Sequence, residues 1–307
     1  MEQKAGMVQD KVVIVTGAGR GIGQAIAKMM AACGAKVVVN DIGTSVNGEG
    51  RDLGPAQDTV DQITAAGGQA VVSTESVAQW DGACRIAELA MDTFGRIDCV
   101  VNNAAVLRDV IFHKMMPEDW EAVIGVGLNG SFYVSRAVAP YFRKQESGSF
   151  VHITSTSGLI GGVGQANYGA MKIGLVGLSK GIALDMARYH VRSNCVAPTA
   201  FTRMTESIPT NTPEQQDRVW KRPQVGAEKN APLVVFLASD AAKDVTGQVF
   251  YSRNNELILF NQMRPARSIH MGGGWTPEAI AEHMLPALKP SFFPLERTRD
   301  VFKSWLP

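Results

Sequence analysis

The chain has 307 residues, 45% of them hydrophobic and 19% charged, with 30 Lys+Arg against 29 Asp+Glu for a formal charge of +1. A globular chain of this length buries roughly 75% of its unfolded surface and needs no disulfide or metal staples. Its near-neutral charge excludes the basic footprint of a nucleic-acid or membrane-surface binder.

Length alone suggests two domains. The polar start MEQKAGMVQD has no apolar core of a secretory signal, and no apolar run is long enough to span a membrane. A cytoplasmic location is the expectation. Cys33, Cys84, Cys99 and Cys195 lie far apart in apolar segments and read as reduced core thiols.

In chain order, Lys11–Thr16 is a β-branched run bounded by a Gly-rich turn, as in a strand buried on both faces. Helix follows over Ile22–Cys33, then strands at Lys36–Asn40 and Gln69–Thr74. Helix is expected at Asp81–Phe94, strand at Ile97–Asn102, and one long helix over Glu118–Lys144. Then come strand Phe150–Thr154, helix Ala166–Tyr189, strand Val191–Ala197, helix Ala231–Ser239 and a last strand within Gln248–Phe260. The alternation implies an α/β fold, a doubly wound parallel sheet of Rossmann type with right-handed crossovers. Residues 1–260 make one domain carrying both cofactor and catalytic sites. Residues 261–307 are a C-terminal extension, read as a pocket lid or a subunit interface.

Two segments break the rhythm. Ile42–Asp58 is a Gly-rich polar excursion longer than usual for such a connection. In the extension, Thr276–Pro277 is a helix start, a capping hydroxyl followed by Pro, and the helix should run to about Leu288.

After the first strand, Thr16-Gly-Ala-Gly-Arg-Gly-Ile-Gly23 opens a helix. Its glycines permit a tight turn and bring backbone N–H groups near a pyrophosphate at the helix N-terminus, so Gly17, Gly19, Arg20, Gly21, Ile22 and Gly23 are candidate cofactor residues. Asp41 ends the second strand, where a carboxylate accepts both ribose hydroxyls and repels a 2′-phosphate. The first basic residue beyond it is Arg51. NAD is the expected cofactor; the plainer reading is that Asp41 caps the loop after it.

Tyr168 and Lys172 stand at i and i+4, on one helix face. A phenol with a pKa near 10 is a poor base unless a neighbouring ammonium stabilises its anion. Ser155, just after the strand Phe150–Thr154, offers a hydroxyl to hold a reacting oxygen. Ser155, Tyr168 and Lys172 are the candidate catalytic set.

In these features residues 10–260 resemble the short-chain dehydrogenase/reductase family. The resemblance rests on Gly17, Gly21 and Gly23, Asn102-Asn103-Ala104-Ala105, Ser155, Tyr168, Lys172 and Asn194-Cys195-Val196-Ala197-Pro198. The excursion Asn40–Gly43, Leu107-Arg108-Asp109, Gly164–Tyr168 and Arg203-Met204-Thr205 narrow it. They resemble the 3-hydroxyacyl-CoA dehydrogenase domain of peroxisomal multifunctional enzyme type 2, also called 17β-hydroxysteroid dehydrogenase type 4, and its bacterial single-domain relatives. The resemblance implies an NAD-dependent oxidoreductase interconverting a secondary alcohol and a ketone on a hydroxyacyl-CoA or hydroxysteroid. An alicyclic or monoterpene alcohol is the alternative substrate, and a catalytically silent NAD-binding sensor or scaffold the remote one. It also implies cofactor contacts from Asn103, Ala104, Tyr168, Lys172, Pro198 and Thr202, with Glu75 or Ser76 at the adenine edge, and a homodimer or homotetramer.

The sequence departs from the family in informative places. Gly127 stands where the family carries a helix-disturbing catalytic Asn. Asn129 is two residues on, about 200° around the helix, and cannot replace it by register. A mid-helix Gly can itself loosen the helix, so activity is expected to survive with a relay through backbone carbonyl and water. Ala105 and Thr199 replace family glycines. The resemblance places a substrate lid over Ala200–Arg222, where Phe201, Met204, Ile208, Val219 and Trp220 could line an apolar pocket or simply pack the lid. Lys221 and Arg222, with Arg51, could meet CoA phosphates or only solvent. Met271, Trp275, Met284, Leu285, Phe292 and Phe293 in the extension read as packing residues first and ligand contacts second. His270 and His283 lack ligand-spaced partners, so no metal site is expected.

Overall fold

A computed structural model describes residues 6–50, 52, 54–200 and 226–302. Eight strands form one sheet in the order β3-β2-β1-β4-β5-β6-β7-β8. They are β1 (Val12–Thr16), β2 (Lys36–Asn40), β3 (Gln69–Ser73), β4 (Cys99–Asn102), β5 (Gly148–Ile153), β6 (Val191–Pro198), β7 (Val249–Arg253) and β8 (Glu256–Leu259). All neighbours pair in parallel except β7 and β8, which are antiparallel. The order reverses between β1 and β4, and the crevice at the carboxyl ends there is where an open α/β sheet receives a ligand.

Helices cover both faces because the central strands are apolar throughout: every residue of β1 and β4 is buried. On one face, Ile26 and Met30 of α1 (Gly21–Ala32), Val60 and Ile63 of α2 (Gly54–Ala65) and Leu237 of α8 (Ala231–Ala238) build one core. On the other, Ile86 of α3 (Trp80–Phe94) meets Val138 and Phe142 of α5 (Gly130–Gln145). α4 (Pro117–Ile124) leads to α5 through a π-helical turn at Gly125–Asn129, so the expected long helix exists but is interrupted at the noted glycine. α6 (Thr156–Leu159) is one turn, and α7 (Ala166–Asp185) follows it.

Two expectations need correction. The excursion after β2 ends sooner than Asp58, because α2 begins at Gly54; Pro55 in its first turn and apolar Ala56, Val60 and Ile63 at helical spacing make it a helix. The last run is two strands, β7 and β8, folded over Asn254–Asn255, where Asn254 adopts φ 55° as a tight hairpin requires.

Beyond β8 the extension holds the expected helix start: Thr276 Oγ1 accepts from the Ala279 N–H at 3.1 Å. Its helical stretch, residues 277–288, contains a π turn at Ile280–Met284. Most of the extension is exposed, Phe293 at 90% and Leu295 fully. Its end nevertheless returns to the domain. The Thr298 N–H and hydroxyl both donate to the Gly161 carbonyl, and the Phe302 ring packs 5.1 Å from that of Tyr251. Among the described residues no helix is long and apolar enough to cross a membrane. All four cysteines are free thiols, and burial pushes those of Cys99 and Cys195 up to about 12, which leaves them inert.

Candidate active site

The turn after β1 is built for close approach. Gly17 and Gly21 have φ of 63° and 58°, a region that L side chains enter only with strain. A Cβ at Gly17 would lie 2.9 Å from Ala104 Cα. Asn103 fastens β4 to this turn: its Nδ2 donates to the carbonyls of Thr16 (3.0 Å) and Gly17 (2.9 Å). The Thr16 hydroxyl accepts the N–H groups of Asn103 (3.0 Å) and Ala104 (3.1 Å). Behind the turn, α1 starts with no side-chain cap, so its first N–H groups face the crevice undischarged. A cavity of about 390 Å³ opens there.

Asp41 sits on the wall of that cavity, its Oδ2 accepting the Gly19 N–H at 2.9 Å and its Oδ1 the Gly43 N–H at 2.7 Å. It therefore does cap the following loop, yet each oxygen keeps lone-pair capacity. Arg20, also on the wall, is paired with Asp52 at 2.9 Å. The excursion folds back over the cavity mouth: Leu107 N–H donates to Val46 O at 2.9 Å, and Arg108 Nε to Asn47 O at 3.2 Å. Thr44, Ser45, Val46 and Gly48 thus become part of the wall.

The second half of the site lies at the carboxyl end of β5. Lys172 is buried, and its Nζ donates to Ile153 O at 2.6 Å and stands 5.4 Å from the centre of the Tyr168 ring. Burial lowers its pKa to about 7. Burial also pushes the Tyr168 phenol above its usual range; the Ser155 hydroxyl counters this, and the Asp109 carboxylate adds to it. Ser155 caps α6, accepting the Ser157 N–H at 3.2 Å. Asn167 is fully buried and pins the start of α7: its Nδ2 donates to the carbonyls of Arg108 (2.9 Å) and Asp119 (3.1 Å), and its Oδ1 accepts the Tyr168 N–H.

Gly127 sits buried in the middle of the π turn. A Cβ there would come within 2.6–2.7 Å of the Met171 side chain, which occupies the space next to Lys172. The departure from the usual Asn is thus matched by a bulky neighbour. Asn129 is exposed, in agreement with the register argument.

Gly17, Arg20, Gly21, Ile22, Gly23, Asp41, Glu75, Ser76, Asn103 and Ala104 line the cavity, and Gly19 reaches it through Asp41. Glu75 pairs with Arg85 at 2.7 Å, so its carboxylate is already engaged. Ser155, Tyr168 and Lys172 come together at the carboxyl end of β5, outside the lining of the cavity; Pro198 ends β6. Thr202, Phe201, Met204, Ile208, Val219, Trp220, Lys221, Arg222 and Arg51 lie outside the described residues. The sequence reading missed Val77, Val106 and Val126 on the cavity wall. Their signal is only that of ordinary apolar residues. Asp109 and Gln165, which the sequence reading named only within segments that narrow the resemblance and gave no role, are joined at 2.8 Å beside Tyr168.

The sequence profile described as short chain dehydrogenase matches residues 11–213. The chain belongs to the short-chain dehydrogenase family, an oxidoreductase acting on CH–OH groups, and its sheet is the Rossmann fold. A short-chain type dehydrogenase/reductase of Mycobacterium tuberculosis is 46% identical over 237 residues, covering 77% of this chain and 80% of that protein. Peroxisomal multifunctional enzyme type 2 of Mus musculus is 40% identical over 237 residues; the match covers 77% of this chain but 31% of that longer protein. The crystal structure of a short chain dehydrogenase from Mycobacterium avium superposes with a TM-score of 0.82 at 39% identity. The match covers 95% of this chain and 99% of that one, and so reaches into the extension. The narrower likeness to the dehydrogenase domain of the multifunctional enzyme holds.

Proposed function

We propose that the protein is an NAD-dependent dehydrogenase that interconverts a secondary alcohol and a ketone on a bulky apolar substrate, with a 3-hydroxyacyl thioester leading and a hydroxysteroid next. The observation that carries the reading is the convergence of Ser155, Tyr168 and buried Lys172 beside a glycine-lined crevice at the uncapped start of α1. The crevice fits a dinucleotide: its glycines leave no Cβ in the path, the free N–H groups suit phosphates, and Asp41 suits a ribose diol. Asp41 would repel a 2′-phosphate, and Arg20, a cation on the wall, is already paired with Asp52. Both features support NAD over NADP.

A bound nicotinamide supplies the hydride acceptor. Ser155 hydrogen-bonds the reacting oxygen and fixes its position. Tyr168, as phenolate, takes the carbinol proton at its phenolic oxygen. Lys172 in its ammonium form stabilises that phenolate, offsetting the burial that otherwise holds the phenol protonated. Its hydrogen bond to Ile153 O holds the Lys172 Nζ in place. In place of the family's Asn, the relay would run through water and a backbone carbonyl of the π turn at Gly125–Asn129.

The substrate reading draws on the names of relatives, a peroxisomal multifunctional enzyme and a 3-oxoacyl-[acyl-carrier-protein] reductase of Synechocystis. Residues 1–260 are read as one domain. Residues 261–307 are read as a cover whose end is tied to Gly161 beside the catalytic loop, with exposed Phe292 and Phe293 suited to a subunit contact in a homodimer or homotetramer. A cytoplasmic location goes with this reading, and imaging the chain in its native cell tests it. The functional test is reduction of NAD and of NADP with a hydroxyacyl-CoA, estradiol, testosterone and carveol. A clear preference for NAD with the thioester supports the proposal. Preference for NADP overturns the cofactor assignment, and preference for carveol the substrate class.

A further inference from the structure

Asp109 lies on the loop that follows β4, Gln165 three residues before Tyr168, and Ser157 two residues after Ser155. The fold joins them into one hydrogen-bonded chain. Gln165 Nε2 donates to Asp109 Oδ2 at 2.8 Å, and the Ser157 hydroxyl donates to Gln165 Oε1 at 2.8 Å. The Ser157 backbone N–H in turn donates to Ser155 Oγ at 3.2 Å.

The chain has a direction. An ionised carboxylate only accepts, so Asp109 forces the amide nitrogen of Gln165 to face it. The carboxamide oxygen must then face Ser157, whose hydroxyl has to donate. That fixes Ser157 with its N–H aimed at Ser155 Oγ, which accepts there and keeps its own proton for the reacting oxygen. The local sequence clears room for this arrangement. A Cβ at Gly162 would lie 2.5 Å from Gln165 Oε1, and one at Gly158 would lie 2.7 Å from the Ile173 nitrogen, holding α6 away from α7. Val110 N–H donates to Gly164 O at 2.9 Å and ties the Asp109 loop to the Gln165 loop.

We propose that Asp109 and Gln165 are positioning residues that, through Ser157, orient the Ser155 hydroxyl as a donor at the reacting centre. This inference rests on the dehydrogenase reading above. Neither residue touches the reacting atoms; both act by holding Ser157 in place, and with it the N–H that donates to Ser155 Oγ.

The direction is testable because it can be reversed at one end and kept at the other. Gln165→Glu puts two carboxylates against each other and breaks the chain; kcat for alcohol oxidation should fall about tenfold or more, as expected when a reactive group is misplaced rather than removed, with KM for NAD unchanged. Adding Asp109→Asn gives the introduced carboxylate an amide donor again while its other oxygen still accepts from Ser157, so the double variant should recover most of the lost kcat. Ser157→Ala cuts the chain further along: it should lower kcat similarly, and Asp109→Asn should not rescue it. NAD titration of each variant checks that the site is folded. In a Ser155→Ala background, Gln165→Glu should cost nothing further.

Full kcat in Gln165→Glu, or a loss that Asp109→Asn does not repair while NAD binding is intact, overturns the positioning role and leaves the dehydrogenase reading standing. Unimpaired turnover by Ser155→Ala overturns the catalytic set and this inference with it.

Discussion

Placing the family's usual Asn at position 127 should damage this protein instead of improving it. The Cβ of any side chain there would sit 2.6 Å from Met171 Sδ and 2.7 Å from its Cγ and Cε. Carbon contacts need about 3.5–4.0 Å, so Met171 must retreat by about 1 Å. Met171 is fully buried, packed with Val106, Val123 and Leu175. Overfilling a core of this kind costs about 1–3 kcal/mol. Replacing a helical Gly returns at most about 1 kcal/mol, and less for Asn than for Ala. The Asn head group adds about 1–3 kcal/mol if its amide finds no partner. Gly127→Asn should therefore destabilise the fold by about 2–4 kcal/mol. Because Met171 adjoins Lys172, kcat should fall as well. Denaturant unfolding monitored by fluorescence, alongside steady-state kinetics, measures both. Met171→Ala in the same chain relieves the clash, so the double variant should be more stable than the sum of the two single losses. A Gly127→Asn protein as stable and as active as the wild type would refute the packing argument.

Other perturbations probe separate parts of the account. Asp41→Ala removes the acceptor for Gly19 and Gly43 and for the ribose diol; at about 1.5–3 kcal/mol per charge-assisted bond, the KM for NAD should rise at least tenfold and the NAD-to-NADP ratio of kcat/KM should fall. An unchanged ratio would leave Asp41 a loop cap and nothing more. His152 is fully buried, and burial lowers its pKa to about 3 from an ordinary 6.5. Below pH 6.5 the unfolded chain binds a proton that the fold refuses. The wild type should therefore lose stability as the pH falls from 6.5 toward 3, by up to a few kcal/mol. His152→Gln should show a shallower pH dependence of unfolding, and identical slopes would contradict this. Deleting residues 265–307 removes the Thr298 bonds to Gly161 and the Phe302–Tyr251 contact. Substrate KM should rise about fivefold, as loss of about 1 kcal/mol implies, or the subunit number should change on light scattering. Retention of both would make the extension a bystander.

Much of this architecture was readable because its signals are local. Unbroken β-branched runs such as KVVIVT and KVVVN announce strands buried on both faces, and the glycines of the first turn announce the crevice. Tyr168 and Lys172 are four apart on one helix, so their pairing needed no tertiary knowledge. The losses came where signals overlap or act at a distance. α2 begins at Gly54–Pro55 inside a Gly-rich segment that reads as loop until the apolar spacing of Ala56, Val60 and Ile63 is counted. β8 merged with β7 because the Asn254–Asn255 turn is short, although two asparagines between apolar runs were a usable hairpin signal. The disturbed helix at Gly127 was anticipated from the missing Cβ, but its match to Met171 joins residues far apart in the chain and has no sequence signature. Asp109 and Gln165 stood out only as parts of segments that narrow the resemblance; their pairing appears only when the fold places one beside the other.

The central claim is that Tyr168 is the group that exchanges the substrate proton in an NAD-linked oxidation. The most direct test is nicotinamide reduction by wild type and Tyr168→Phe with the best substrate of the panel, beside NADH binding by fluorescence titration. The account predicts that Tyr168→Phe binds NADH with near-wild-type affinity and gives no measurable turnover. Turnover by that variant at the wild-type rate would contradict it.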